Sequence, residues 1–177
     1  MAPMIRLIGR ERFRSERGAE LIELMLVTPL LLLMFAGIFD FAVLFRGWET
    51  VTNAAREGAR VASLPAFMDA DDSIRQRVEQ YMQASGLANA CTLENIDANS
   101  MCPVDSNTPG ACSVCVKDQT IATPGGGSFS ARSVTVMFNQ QLPSLSGVAP
   151  LVGASAFSNV AVGSTSLMRT EAPATNP

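Results

Sequence analysis

Residues 21–39 read LIELMLVTPLLLLMFAGIF, an apolar run of 19 residues in which Glu23 is the only charge. As an α-helix rising 1.5 Å per residue, this run would be roughly 28 Å long, close to the ~30 Å hydrocarbon core of a bilayer. Asp40 follows it directly. The run therefore predicts a helix that crosses a membrane once, and it divides the chain into a short basic part and a longer outer part.

Charged residues are distributed unevenly around this run. Residues 1–18 hold five arginines and two glutamates, whereas the chain from Ala19 onward holds 8 Lys and Arg against 14 Asp and Glu. The positive-inside rule then places the N-terminus in the cytoplasm and the C-terminal part outside. The acidic C-terminal part offers no basic patch for a phosphate backbone, so nucleic acid is not expected as a partner.

The composition argues against an enzyme. The chain has 177 residues, about the length of one domain, and no histidine. Histidine is the commonest general base and the commonest neutral metal ligand, so its absence removes most nucleophile–base pairs and many metal sites. We therefore expect no catalytic residues, no cofactor and no metal.

The apolar run has two simpler interpretations, a secretory signal peptide or a plain single-pass anchor. The basic lead-in and the apolar stretch are long for a signal peptide, and no clear A-x-A cleavage site follows. Neither interpretation explains Glu23, because an acidic residue within a membrane segment is costly and usually has a partner.

A cut after Gly18 would create such a partner for Glu23. The new α-amino group of Ala19 would then lie one helical turn from the Glu23 carboxylate, in the same or an adjacent subunit, and the pair could fix the axial register of packed helices. The simpler alternative is that the Glu23 side chain only reaches toward the cytoplasmic interface.

A basic leader, a glycine and an apolar helix with glutamate at its fifth position resemble type IV prepilins. More specifically, GAELIELMLVTPLLLLMFAGIFDFAVLF from Gly18, AAREGAR at residues 54–60 and SLMRTE near the C-terminus are similar to the TadE-like family, the pseudopilins of Tad (Flp) pilus systems. The central motif consists of Ala54, Ala55, Arg56, Glu57, Gly58, Ala59 and Arg60.

The resemblance implies a minor pilin needed for pilus assembly, initiation or capping, and hence for surface adhesion, biofilm formation or secretion. It implies cleavage between Gly18 and Ala19 and a register role for Glu23. The implied partners are the major Flp pilin, a companion minor pilin, the prepilin peptidase and an inner-membrane assembly platform. The protein would lie in the bacterial inner membrane with a periplasmic C-terminal domain, and after assembly in an extracellular pilus. The alternative is an uncleaved single-pass anchor that carries a periplasmic binding domain.

The helical pattern continues beyond the apolar run to about Ser63. Small residues recur there at intervals of three and four, so this face can approach a sheet or another helix closely. Either intrachain packing or a subunit interface could bury the AAREGAR motif. Phe45 and Trp48 fall where aromatic side chains favour the membrane interface.

A second, short helix is predicted after the acidic stretch at residues 69–73. A calcium loop does not fit, because no glycine occupies the sixth position and Gln80 occupies the twelfth. Asp72 or Ser73 is instead expected to cap the helix, and Gly86 to end it. The expected apolar stripe consists of Ile74, Val78, Tyr81 and Met82.

Four cysteines fall within a short irregular segment, at Cys91, Cys102, Cys112 and Cys115. Outside the membrane, an even number of cysteines predicts two disulfides, with the pairing open and a preference for Cys91 joined to a later cysteine. Zinc and dithiol redox chemistry are less favoured, because the spacing lacks paired knuckles and no βαβ unit surrounds the C-x-x-C pair.

The C-terminal part has a sequence pattern typical of β-strands. Val134, Val136 and Phe138 alternate with more polar residues, which predicts a hairpin, and residues 157–171 predict a further strand. Residues 142–153 are predicted to form a loop whose exposed leucines contact a partner.

The expected fold is thus α+β, with a long N-terminal transmembrane, pilin-like helix, a short helix and an antiparallel sheet of about three strands. The expected parts are a leader (1–18), the long helix (19–63), a periplasmic domain (64–171) and a disordered tail (172–177).

Overall fold

The computed structural model of the chain describes residues 12–67, 70–94, 100–152 and 158–170. Along the chain the elements are helix α1 (Arg12–Ala62), a 3-10 turn (Pro65–Phe67), helix α2 (Asp71–Ala84), strands β1 (Thr92–Leu93), β2 (Cys112–Ala122) and β3 (Ser128–Gln141), helix α3 (Pro143–Val152) and strand β4 (Asn159–Arg169). The predicted α+β class, with a long apolar helix followed by a small domain, is confirmed.

The chain divides between Phe39 and Asp40 into two units. We call residues 18–39 the apolar segment and the unit from Asp40 onward the head domain. The predicted tail at residues 172–177, most of the predicted leader and Asp69 lie outside the described residues.

The apolar segment is continuous α-helix, with Pro29 inside it. All its large apolar side chains are exposed, from Leu21 (62% of its surface) to Phe39 (56%). The helix from Gly18 to Ala62 is long and apolar enough to cross a membrane, a property that a signal sequence near an N-terminus shares. Among the described residues of this unit, the large apolar side chains therefore have no burying partner.

The head domain contains a four-stranded mixed sheet in the order β1-β2-β3-β4. Strands β2 and β3 form the predicted hairpin, in which Val114 lies opposite Val136, and β4 pairs antiparallel with β3. The expectation of about three antiparallel strands is corrected by β1, two residues long, which pairs parallel with β2. So short a strand has no alternating pattern to reveal it, and it depends on its neighbour for position.

The core of the head domain lies between one face of the sheet and the helices α1 and α2. Val134 and Val136 of β3 are completely buried there, together with Val51 of α1 and Ile74 of α2. Because side chains alternate along a strand, Val134, Val136 and Phe138 of β3 all face this core. The hydrophobic alternation in the sequence therefore identified the core face of the hairpin.

Helix α2 differs from its prediction at its N-terminal cap and in the residues of its buried stripe. It begins at Asp71 with Ala70 at the N-cap position and no side-chain cap, so the expected caps, Asp72 and Ser73, are wrong. Ile74, Val78 and Met82 are buried, but Tyr81 is exposed, because it lies at the margin of the stripe. Gly86 does end the helix, with a φ of 70° that favours glycine.

Residues 143–152, predicted as a loop, form helix α3 instead. Pro143 is the first residue of this helix, where its missing N–H costs nothing. The next two backbone N–H groups, of Ser144 and Leu145, donate to the carboxylate of Asp40 on α1. The helix start is thus stabilised by a residue about a hundred positions earlier in the chain, which a local sequence pattern cannot show.

Candidate assembly site

The predicted processing boundary lies within helix α1. Gly18, Ala19 and Glu23 are all helical, and a Cβ atom placed on Gly18 would meet nothing within 4 Å. Ala19 and Glu23 are four residues apart and exposed, so they lie on the same face, one turn from each other. The helix therefore places these two residues at the separation that the register hypothesis requires, and the hypothesis itself stays a prediction.

The AAREGAR motif has a buried side and a charged side. Ala54, Ala55 and Ala59 have no exposed surface. A Cβ atom on Gly58 would lie 2.8 Å from Cγ2 of Val78 on α2 and 3.1 Å from Cγ1 of Val134 on β3, closer than carbon atoms ordinarily pack. The small residues therefore let α1 approach α2 and the sheet within one chain, which favours the intrachain alternative for this motif.

Glu57 connects α1 to α2 on the charged side of the motif. Its carboxylate accepts from Nε and Nη2 of Arg60, at 3.2 Å and 3.1 Å. It also accepts from Nε and Nη2 of Arg77 on α2, at 3.0 Å and 2.9 Å. These hydrogen bonds, from Arg60 first and Arg77 second, hold the pKa of the Glu57 carboxyl below its usual value. Arg56 is exposed.

The four cysteines form two disulfides, Cys91–Cys112 and Cys102–Cys115. The prediction of two disulfides is confirmed, as is the preference for Cys91 bonded to a later cysteine in the hairpin. Cys112 and Cys115 are three residues apart in β2, so their side chains point to opposite faces of the sheet. One disulfide therefore joins the core beside α2, and the other fastens the irregular segment to the outer face.

Asp40 is a residue whose role the sequence did not reveal. Its side chain is buried, and its two carboxylate oxygens each accept one backbone N–H of α3, from Ser144 and Leu145, at 2.9 Å. A carboxylate at a helix N-terminus accepts hydrogen bonds from otherwise unpaired N–H groups, and its negative charge interacts favourably with the helix dipole. A lone acid directly after the apolar run and a proline at the start of a helix were the signals that could have found it.

Arg132 was also missed. Its nearly buried guanidinium donates to Asp118 on the neighbouring strand, at 2.6 Å, and to Asp71 at the start of α2, at 2.9 Å. It donates as well to the carbonyl oxygen of Phe67, at 3.2 Å. Arg132 therefore fixes the chain between α1 and α2 against the sheet, which explains why α2 begins correctly without a side-chain cap.

The outer face of the sheet, away from α1 and α2, carries a polar groove of about 500 Å³. Its lining includes Lys117 of β2, whose Nζ donates to the carbonyl oxygen of Ser100, and Thr135 of β3, which bonds Thr165 of β4. In the loop beyond it, the Thr108 hydroxyl and the Asn107 N–H hold the pKa of the exposed Asp105 below its usual value. Hydroxyl, amide and ammonium groups in this groove suit a polar ligand.

The comparisons with known proteins bear on the N-terminal part of the chain. Searches of curated proteins and of solved structures found no match. One family model matches, described as TadE-like protein, and it covers residues 18–60. That range begins at Gly18, on one side of the predicted processing boundary, and includes the apolar segment and the whole AAREGAR motif. The resemblance predicted from the sequence is therefore confirmed at residues 18–60, which match the TadE-like family model, and this match is consistent with a component of the Tad pilus system.

Proposed function

We propose that this protein is a minor pilin of a Tad pilus, anchored in the inner membrane by the apolar segment and cut after Gly18 by a prepilin peptidase. The observation that carries the proposal is the family match over residues 18–60, which joins that boundary to an apolar helix whose large side chains are exposed. The head domain would face the periplasm, and its role would be to initiate, cap or adapt the filament.

The apolar segment supplies the affinity in this proposal. Large side chains such as Leu24, Leu33 and Phe35 are more than half exposed around the whole helix. A helix that is apolar on all sides is stable only in lipid or among other helices. Both environments occur in turn for a pilin, which is stored in the membrane and then packed into a filament beside the major pilin and a companion minor pilin.

Glu23 supplies the axial register. Its carboxylate is the only charge in the 19-residue run, and a charge without a partner is costly once lipid or other helices surround it. The α-amino group of Ala19 in the cleaved protein is a cation one turn away, in the same or an adjacent subunit. Pairing the two groups lowers the cost of burying either, so only one axial position of the helix would satisfy both.

N-terminal sequencing of the protein extracted from membranes of the producing bacterium tests the cleavage. The expected sequence begins at Ala19, and Gly18→Leu is expected to leave the leader attached, because the peptidase must accept a residue without a side chain. Gly37→Leu, in the same apolar segment, is the control and should be cut normally. An intact Met1 end in the unaltered protein would contradict the proposal.

Glu23→Ala tests the register. The variant should be cut at the normal site but should assemble poorly, as measured by the amount of pili sheared from cells. Glu20→Ala removes an exposed carboxylate from the same helix at a position that does not share the face of Ala19, and should assemble normally. Equal yields from the two variants would show that the register argument is wrong.

The alternative function, an uncleaved anchor with a periplasmic binding domain, has the polar groove of the outer sheet face in its favour. It predicts an intact Met1 end and normal pili in a strain that lacks this protein. The same N-terminal sequencing therefore separates the two functions.

A further inference from the structure

One part of the head domain carries no charge. Residues 133–168 contain no Asp, Glu, Lys or Arg, although charged residues make up 16% of the chain. This stretch contains most of β3, all of α3 and nearly all of β4. A surface without charged groups costs less to remove from water than a charged one, so this stretch is suited to contact with an apolar or interfacial environment.

The first turn of helix α3 contacts the residue that directly follows the apolar run. Asp40 is the residue directly after Phe39, and the hydrogen bonds of its carboxylate hold the N–H groups of Ser144 and Leu145 against it. The Leu145 side chain is 43% exposed beside this contact. The start of α3 is therefore held against the first residue that follows the apolar run in the chain.

An apolar groove begins at Phe41, the residue directly after Asp40. It has a volume of about 340 Å³ and is lined by Phe41, Leu44, Phe45 and Trp48 of α1 and by residues 160–163 of β4. The Phe45 ring lies 6.5 Å from that of Phe41 and 5.9 Å from that of Trp48, centroid to centroid. Trp48 lies eight residues beyond Asp40, roughly 12 Å along the helix, and exposed aromatic rings favour the headgroup layer of a bilayer.

We propose that α3 and this aromatic groove lie in the headgroup layer of the leaflet on the head-domain side, so that the head domain rests on lipid. Neither residues 133–168 nor the groove lining contains Lys or Arg, so the contact needs no anionic lipid; Arg46, beside the groove on α1, donates to the carbonyl oxygen of Ser85. The inference rests on the membrane anchorage in the proposed function and is independent of cleavage and pilus assembly.

Trp48 is the single tryptophan of the chain, which allows a direct test. The full-length protein is reconstituted at low density into phosphatidylcholine vesicles whose acyl chains are brominated, and tryptophan emission is compared with that in unbrominated vesicles. Three proteins are measured: the unaltered chain, the double variant W48F/L145W and the double variant W48F/F129W. Phe129 is the control because it is far from α3. Strand β3 leads into α3 at its Gln141 end, and Phe129 lies at the other end of the strand, roughly 40 Å away.

Bromine quenching should be strongest for W48F/L145W, weaker for the native Trp48 and absent for W48F/F129W. Adding anionic lipid or salt should change none of the three values. Near-ultraviolet circular dichroism of each variant checks that its head domain is folded.

Two results would overturn the inference. The first is that W48F/L145W binds vesicles and is folded, but its tryptophan is quenched no more than that of W48F/F129W. This result would leave the membrane anchorage and the pilus role unaffected. The other is the same low quenching together with disulfide dimers of an L145C variant, which would assign α3 to a second copy. Protein that does not float with vesicles would instead remove the anchorage on which both proposals rest.

Discussion

Helix α1 has the same backbone conformation before and after Asp40, but the two parts bury their side chains in opposite ways. Before Asp40, large side chains such as Leu33 and Phe35 are exposed on every side; after it, Ala54 and Ala59 have no exposed surface. The difference lies in side-chain size. Alanine and glycine let the sheet and α2 approach the helix, whereas leucine, methionine and phenylalanine leave an apolar surface for lipid or for other helices.

The comparison predicts that damage to the head domain leaves the apolar segment helical. Replacing Cys91 and Cys112 by alanine opens a loop with a sequence separation of 21 and should lower the free energy of unfolding of the head by about 3 kcal/mol. Near-ultraviolet circular dichroism should be lost at a lower temperature, while the helical far-ultraviolet signal of the apolar segment persists in detergent. Simultaneous loss of both signals would mean that the two units are not independent.

Glycine substitutions sharpen the comparison within α1. Gly58→Leu places a side chain against Val78 and Val134, and should destabilise the head domain by about 2 kcal/mol or more. Gly37→Leu meets nothing within 4 Å and should leave the melting temperature of the head unchanged. Thermal melts of both variants in the same detergent measure the effect, and similar melting temperatures would contradict the proposed close packing at Gly58.

The junction between the two parts can be tested at Asp40. Asp40→Ala removes the acceptor for two backbone N–H groups of α3 and should cost about 1 kcal/mol. Hydrogen exchange should accelerate at Ser144 and Leu145 in particular. Asp40→Asn keeps one carbonyl oxygen and should show a smaller acceleration; unchanged exchange in both variants would remove Asp40 as the cap of α3.

The smallest effect is expected at Glu57. Glu57→Gln removes the charge from its hydrogen bonds with Arg60 and Arg77 and should cost less than about 1 kcal/mol at pH 7, because the group is partly exposed. Since folding lowers the pKa of Glu57, its contribution is complete above the ordinary value of 4.5 and is lost as the pH falls through the lowered value. Melts from pH 7 to pH 3 should therefore converge for the two proteins.

Glu49→Gln is the matched control for Glu57→Gln, because Glu49 is an exposed carboxylate on the same helix. It should melt like the unaltered protein throughout that pH range. A difference between Glu57→Gln and the unaltered protein that stays constant down to pH 3 would show that the charge of Glu57 is not its source.

Features written in local patterns could be predicted from the sequence, and features that depend on distant residues could not. The end of α1 near Leu64 and Pro65 and the alternation of Val134 and Val136 each depend on neighbours in the chain. Helix α3 depends on Asp40, which is 104 residues from Ser144.

Strand β1 and the contacts of Arg132 also depend on residues that are distant in the chain. Strand β1 is two residues long and follows Cys91, whose disulfide to Cys112 brings it beside β2. The contacts of Arg132 join residues that are 61 and 14 positions apart. In the candidate site, the role of Glu23 stays a prediction from its spacing to Gly18, whereas the roles of Asp40 and Arg132 needed three-dimensional contacts.

The close packing of α1 on the sheet has a mechanical consequence. Gly47 faces Gln140, and Gly58 faces Val134, so β3 runs alongside α1 in the opposite direction. A pull along the axis of α1, such as extraction from a membrane would apply, loads the contacts between helix and strand together, in shear, instead of peeling them apart one by one. The part of α1 that lies in the head domain and strand β3 would therefore resist the pull together, with Asp40 carrying α3 along.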